Sequence, residues 1–344
     1  MKVFVGMSGG VDSSVTAALL VEQGYDVTGV YMKNWSQDLP GMRCPWAEDL
    51  ADAKRVAVQL GIDFKVYDFE ADYKQRVVDY MIDEYQAGRT PNPDIMCNQE
   101  IKFALFLSTA LADGADMIAT GHYARTADGR LLMAVDANKD QTYFLYRVTG
   151  EALQKTLFPL GEYTKTQVRS MAVERGLYTA AKKESMGVCF VGSVGMREFL
   201  GQYVATKPGD IVDRATDTVI GRHDGAIFYT LGQRHGLDVG GGLPYYVVGK
   251  DMKKNIVYVT TKLTDSAIWL TQLSLSQPHW IKDQQYSGEC MVRLRHRAPL
   301  VQATVTPVDD ILHVTLAEPQ RAATPGQSAV IYLDGCCLGG GIIT

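Results

Sequence analysis

Positive charge is not in surplus in this sequence. Its 344 residues carry 34 Lys and Arg against 39 Asp and Glu, a net charge of −5. That excludes a protein that coats nucleic acid through a general basic surface, so a polyanionic partner has to be met by local patches. Residues 205–344 hold 13 Lys and Arg and 13 Asp and Glu, which leaves all the negative excess to the earlier part. Cysteine is scarce too. Cys44, Cys97, Cys189, Cys290, Cys336 and Cys337 are too few and too scattered for a disulfide scaffold in a chain of this length. No CxxC pair occurs, which argues against a zinc ribbon. No apolar run reaches the roughly 20 residues of a membrane helix. The chain enters an apolar strand at once, with no basic stretch or cleavage site before it, so the expectation is a cytoplasmic protein without signal peptide or membrane association.

What is present is organised around Val3 to Leu20, VFVGMSGGVDSSVTAALL. It reads as a buried strand (Val3, Phe4, Val5), a tight turn from Ser8 to Ser14 and an apolar helix from Val15. A strand that feeds a glycine turn into a helix N-terminus builds an anion site, because unpaired N–H groups and the helix dipole both favour negative charge there. Gly9 and Gly10 let the backbone approach a phosphate. Ser8, Ser13 and Ser14 add hydroxyl donors. The Walker arrangement is excluded, since no Lys occurs between Lys2 and Lys33. The dinucleotide fingerprint is excluded as well, because a third glycine is missing.

Strand and helix signals alternate through the first two hundred residues. Strands are expected at Val3–Val5, Val27–Met32, Phe64–Tyr67 and Met117–Thr120, and helices at Val15–Gln23, Cys44–Leu60, Tyr73–Gln86 and Ile101–Asp113. Such alternation implies an α/β, doubly wound parallel sheet with its ligand at the carboxyl ends of the strands. That rim would carry the Ser8–Ser14 loop, Met32 and Gly121-His122. Near Pro208-Gly209-Asp210 the texture changes to short alternating runs, such as Ile227-Phe228-Tyr229, Tyr245–Val248 and Ile256–Val259. A further set, from Ile268–Leu273 to Ala329–Leu333, suggests a small closed barrel. Three domains are expected: 1–204 nucleotide-binding and catalytic, 205–265 a small β-rich domain, and 266–344 a β-barrel.

Two thiol stretches stand out. In Glu84 to Phe103, Pro91 and Pro93 stiffen a loop, Asp94 and Cys97 follow, and a helix opens at Asn98. A thiol at a helix N-terminus is more often thiolate, but a buried structural cysteine after a proline turn fits these residues equally well. Around Cys189, the neighbours Val188, Phe190 and Val191 speak for a buried strand. The flanking Gly187, Gly192, Lys182 and Lys183 speak for an exposed loop, and the residues alone leave the matter open. His122 follows a core strand at its active end, where a lone His is more often a hydrogen-bonded structural group than a base. Lys139-Asp140-Gln141 reads as a solvated loop before an aromatic run. Arg293, Arg295 and Arg297 alternate along an expected strand, a row suited to phosphate contacts, although solvated strand arginines are commoner.

Taken in order, GMSGGVDSSV, GRTPNPDIMCNQEIKF, IATGHYAR, KDQTYFLYR, LFPLGEYTKTQVR, GVCFVG, YTLGQRHGL and GGGII resemble the bacterial tRNA-specific 2-thiouridylases, ATP pyrophosphatases of the PP-loop superfamily, over essentially the whole chain. The resemblance implies an enzyme, a tRNA-uridine 2-sulfurtransferase that adenylates the C2 oxygen of a wobble uridine with ATP and replaces it by sulfur. It assigns ATP to Gly6, Met7, Ser8, Gly9, Gly10, Val11, Asp12, Ser13, Met32 and Gly121, with Asp12 helping to place Mg²⁺, as suits a carboxylate and a hard cation. It makes Cys189 the persulfide carrier and Cys97 the second thiol, with a Cys97–Cys189 disulfide as the outcome of exchange. Hydrosulfide release from the persulfide and direct attack is the other route. Asp94 becomes the proton acceptor, with Asn92, Pro93 and Asp94 against a flipped base. His122, Lys139, Asp140, Gln141, Arg295, His296 and Gln327 become tRNA contacts. The implied partners are a tRNA with a wobble uridine and a sulfur-relay protein or cysteine desulfurase as donor.

The sequence departs from the family pattern in places. Ser185-Met186-Gly187 stands where Ser-Gln-Gly is usual, His235 replaces a Lys or Arg, and His296 a Tyr. Two other readings compete. An amide-forming ATP pyrophosphatase would explain the loop but leave Cys97 and Cys189 without a task. A non-enzymatic RNA-binding or redox protein would leave the loop itself unexplained. An iron–sulfur site on Cys44, Cys97 and Cys189 lacks clustered spacing.

Overall fold

The first strand shows how the parallel sheet is covered on both faces. In β1 (Lys2–Gly6) successive side chains point to opposite sides. Phe4 enters an apolar cluster with Val77, Ile101 and Phe106, while Val3 and Val5 enter another with Ala17, Leu20, Ala53 and Val56. A strand buried on both faces needs a continuous apolar run, and Val3-Phe4-Val5 supplies it. The computed structural model describes residues 1–38, 44–183, 195–237, 239–240, 242–262, 268–321 and 323–344.

Chain order runs β1, α1 (Val11–Glu22), β2 (Asp26–Lys33), α2 (Trp46–Leu60), β3 (Asp63–Asp68), then α3 (Glu70–Tyr73), which continues through a π-wound stretch, Lys74–Asp79, into α4 (Tyr80–Gln86). A second long helix begins as α5 (Pro93–Met96), passes through a π-wound stretch, Cys97–Leu105, and ends as α6 (Phe106–Ala112). β4 (Met117–Ala119), the hairpin β5 (Arg125–Ala127) and β6 (Arg130–Leu132), α7 (Thr142–Leu145), α8 (Gly150–Gln154), β7 (Thr156–Leu157), α9 (Lys165–Glu174) and α10 (Met196–Tyr203) complete this part. The sheet is parallel in the order β3-β2-β1-β4-β7, the doubly wound arrangement expected.

The β regions follow. β8 (Gly209–Asp213), β9 (Thr218–His223), β10 (Tyr246–Asp251) and β11 (Ile256–Thr260) form a four-stranded sheet ordered β10-β11-β8-β9. The expected strand at Ile227-Phe228-Tyr229 is instead a 3₁₀ turn at Ala226–Phe228. The strands β12 (Trp269–Trp280), β13 (Gly288–Arg293), β14 (Val301–Val308), β15 (Ile311–Arg321), β16 (Ser328–Leu333) and β17 (Cys336–Ile343) close into a barrel through the β12–β17 pairing. The β5–β6 hairpin leaves its own domain and pairs with β17, so the barrel sheet runs on into the first domain. No helix among the described residues is long and apolar enough to cross a membrane.

Two helix starts differ from expectation. α1 begins at Val11, not Val15, because the Ser13 and Ser14 hydroxyls both donate to Gly10 O and settle into the first turn. The thiol helix begins at Pro93, well before Asn98. The Asn92 side chain accepts from Asp94 N at 3.1 Å and Pro93 takes the first helical position, where a missing N–H costs nothing.

Candidate active site at the carboxyl rim of the parallel sheet

The loop between β1 and α1 lies against the first turn of α2. Gly9 has φ of +73°, and a Cβ on it would come within 2.3 Å of Asp49 O, so glycine is required twice over. Gly10 starts α1 without a side-chain cap, leaving the first-turn N–H groups for an outside acceptor. Ser8 is exposed at the mouth, and its N–H donates to Ser13 Oγ at 3.2 Å. Gly6 sits where a Cβ would be 3.0 Å from Met32 Cε, and Gly121 where one would be 3.0 Å from Ser13 N. The fold therefore gathers Gly6, Met7, Ser8, Gly9, Gly10, Val11, Asp12, Ser13, Met32 and Gly121 at one place.

The lysine that this loop lacks arrives from α9. Lys165 Nζ lies 2.7 and 2.8 Å from the two Asp12 carboxylate oxygens, and Tyr123 OH donates to Oδ1 at 2.9 Å. Thr164 and Gln167 form a capping box that fixes this helix start. The Thr-Lys-Thr-Gln spacing was legible in the sequence; its meeting with Asp12 was not. For Mg²⁺ the carboxylate of the glycine loop is Asp12, and no cluster of three or more His, Cys, Asp or Glu occurs among the described residues. A single carboxylate fits this ion, which commonly keeps one or two carboxylates, substrate phosphates and water.

The second part of the site is the helix begun by Asn92 and Pro93. Asp94 is half-buried, and burial pushes its carboxyl above the usual range against the pull of Lys102. Cys97 is buried, in the apolar cluster with Ile95, Ile101 and Phe103. His122 is buried between Phe103 and Phe158, with ring centroids at 5.7 and 6.1 Å. Burial and the nearby Lys102 drive its imidazole well below the usual value, so it is neutral. Cys189 and Met186 lie outside the described residues. The chain before them is anchored by Lys182, whose Nζ reaches Asp49 and Asp52 of α2 at 2.8 and 2.6 Å. The chain after them enters α10, where Phe199 packs on Trp35 beyond β2.

The residues expected at tRNA sort into two groups. Arg295 is exposed, Lys139 and Gln141 are half-buried, and Gln327 Nε2 donates to Thr90 O at 2.7 Å, tying the barrel to the loop before Asn92. His296 stacks on Phe144 with centroids 4.4 Å apart. Burial, with Arg297, Arg293 and Lys139 around it, pushes this His down to about 4. Asp140 faces inward instead. Its carboxylate accepts from Ala134 N at 2.8 Å, Thr142 Oγ1 at 2.6 Å and Arg293 Nη1 at 3.1 Å. The expected Arg293, Arg295, Arg297 row is broken, because β13 ends at Arg293 and Arg293 is buried on Asp140 and the Tyr332 ring. Gln141 turns the other way, accepting from Tyr123 N at 2.9 Å. The residues missed in the sequence are Lys165, Tyr123 and Lys102.

A parallel sheet with an open glycine turn after its first strand, followed by two β domains, defines a nucleotide-binding enzyme of the α/β class with appended barrels. Family models match in the same order: the tRNA methyl transferase HUP domain over residues 1–193, the tRNA methyl transferase PRC-barrel domain over 197–261 and the aminomethyltransferase beta-barrel domain over 270–343. The tRNA-specific 2-thiouridylase MnmA of Haemophilus ducreyi is 48% identical over 356 residues, covering 99% of this chain and 92% of the relative. The protein of the same name from Bacillus licheniformis is 48% identical over 352 residues, covering 99% and 94%. The chain belongs to the tRNA-specific 2-thiouridylase family. A solved 4-thiouridine synthetase–RNA complex with bound ATP shares 19% identity over 59% of this chain and 50% of that one, at a TM-score of 0.39, too distant to bear on function.

Proposed function

We propose that this protein replaces the C2 oxygen of a tRNA wobble uridine by sulfur, at the expense of ATP, and that the opening glycine loop is its adenylation site. The observation that carries the reading is the shared rim. The open N-terminus of α1, with Asp12 and Lys165, follows β1, and the helix bearing Asp94 and Cys97 meets His122, just beyond the adjacent β4, through Lys102. ATP lies with its phosphates on the Gly6–Ser13 loop and its nucleoside toward Met32 and Gly121. Lys165 supplies the cation that a Walker loop carries within itself, and Asp12 would hold Mg²⁺, which neutralises phosphate charge when bound.

Asn92, Pro93 and Asp94 receive the flipped base. The uridine C2 oxygen attacks the α-phosphorus, the Asp94 carboxylate takes the N3 proton, and pyrophosphate leaves. A persulfide on Cys189, loaded by a relay protein or a cysteine desulfurase, attacks C2 and AMP departs. Cys97 thiolate then attacks Cys189 Sγ, the S–S bond to the base breaks, and 2-thiouridine is released with a Cys97–Cys189 disulfide for an external thiol to reduce. Gln327, Arg295, His296, His122 and the Lys139-Asp140-Gln141 segment form the tRNA side, Asp140 by holding the barrel in place.

The test is mass spectrometry of tRNA after incubation with ATP and a persulfide donor. Cys189→Ser should form no 2-thiouridine while still releasing pyrophosphate in a tRNA-dependent manner. Normal thiolation by that variant would remove the persulfide assignment.

A further inference from the structure

The thiol helix carries a polar stripe of which the reaction above uses only one end. Asp94, Asn98 and Lys102 follow at four-residue spacing, close to one turn in both the α-wound start and the π-wound stretch of this helix, and so lie along one face. Ile95, Cys97, Ile101 and Phe103 of the same helix are buried in the apolar cluster. At the far end Lys102 is half-buried, with its Nζ 3.4 Å from Nε2 of His122, which arrives just beyond β4. An ammonium has donors only, so Nε2 accepts and the imidazole proton sits on Nδ1, where it donates to Thr120 Oγ1 at 2.8 Å. Midway along the stripe, Asn98 donates through Nδ2 to Phe144 O at 3.1 Å, while its Oδ1 is buried without a partner among the described residues. Buried acceptors rarely stay unmet.

We propose that Lys102 is a positioning residue of the reaction, the counter-charge that serves Asp94 along the helix face and sets the ring of His122. The inference rests on the reading of Asp94 as acceptor of the uridine N3 proton. Burial raises that carboxyl, and the Lys102 ammonium, on the same helix face, pulls it back down. Among the described residues, the titratable groups about Asp94 are Cys97 and Lys102 on its own helix, His122 through Lys102, and, from the elements packed against α5, Lys74, Arg76 and Asp79 of the π-wound stretch before α4 and Tyr143 of α7. His122 stays neutral because of burial and the same ammonium, so it adds no rival charge.

The experiment compares the full-length protein with Lys102→Met, Lys102→Arg and Asp94→Asn, reading single-turnover, tRNA-dependent pyrophosphate release across pH. Lys102→Met is expected to move the acid limb of the profile upward by about one pH unit, since Asp94 then stays protonated longer. Lys102→Arg should return the limb toward its original position. A lower plateau with an unmoved limb, or no rescue by Arg, overturns the role of Lys102 while leaving Asp94 in place. An acid limb that persists unaltered in Asp94→Asn overturns the reading of Asp94 itself, and this proposal with it.

Discussion

α1 and α5 both begin at the carboxyl rim, and they begin in opposite ways. At α1 the residue before the helix is Gly10, which brings no side chain to the first-turn N–H groups. At α5 the Asn92 side chain takes Asp94 N, and Pro93 has no N–H to offer. The first start is left open, so an anion can complete it. The second is closed by its own residues, and its electrostatics pass to side chains: Asp94, Lys102 and the thiol of Cys97. One fold thus leaves one helix start to backbone donors and gives the other to side chains, the pair that the proposed phosphate and base sites would use.

The comparison can be broken most severely at the open start. Lys165→Met should lower thiolation and ATP–pyrophosphate exchange together by on the order of a hundredfold, because the developing phosphate charge loses its cation. Intact exchange in that variant would reduce Lys165 to a structural partner of Asp12. Gly9→Ala comes next. The φ of +73° and the approach of Asp49 O both oppose a side chain, so the loop must shift. Nucleotide affinity measured by calorimetry should fall by about tenfold or more, with strain of order 1–3 kcal/mol appearing as a lower Tm. The closed start is the milder test. Asn92→Ala should cost about 1 kcal/mol of stability by loss of the cap, and thiolation should fall while ATP binding stays as before. Equal losses of both would mean the two starts are not separable.

The smallest effect is on pH dependence. His296 has its value pushed from 6.5 down to about 4, and His122 moves the same way. Below 6.5 the unfolded chain therefore binds protons that the folded chain does not, and stability drops as pH falls toward 4. Thermal melts between about pH 7 and about pH 5 should show this decline, and His296→Phe, which keeps the stacking on Phe144, should make it shallower.

The features read correctly from the residues are those that depend on near neighbours. Val3-Phe4-Val5 followed by Gly9-Gly10 marks a buried strand and a tight glycine turn, since alternation and φ are decided within a few residues. The Asn92-Pro93 helix start was equally local and could have been read; Pro91 and Pro93, one residue apart, suggested a loop instead. The arginine row failed for a different reason. Arg293 has the same type and spacing as Arg295, yet the strand ends between them, and Arg293 is taken up by Asp140 and Tyr332 from elsewhere in the chain.

By itself, then, the amino-acid order determined the parallel sheet, the open glycine turn, the change to β structure after Pro208 and, through its run of motifs, the family. The tertiary structure alone decided that Lys165 would pair with Asp12, that Asp140 would turn inward to Arg293, and that Lys102 would meet His122. Backbone dihedrals, caps and alternation are set over a few residues, whereas a charge pair across more than a hundred positions exists only once packing has brought its elements together.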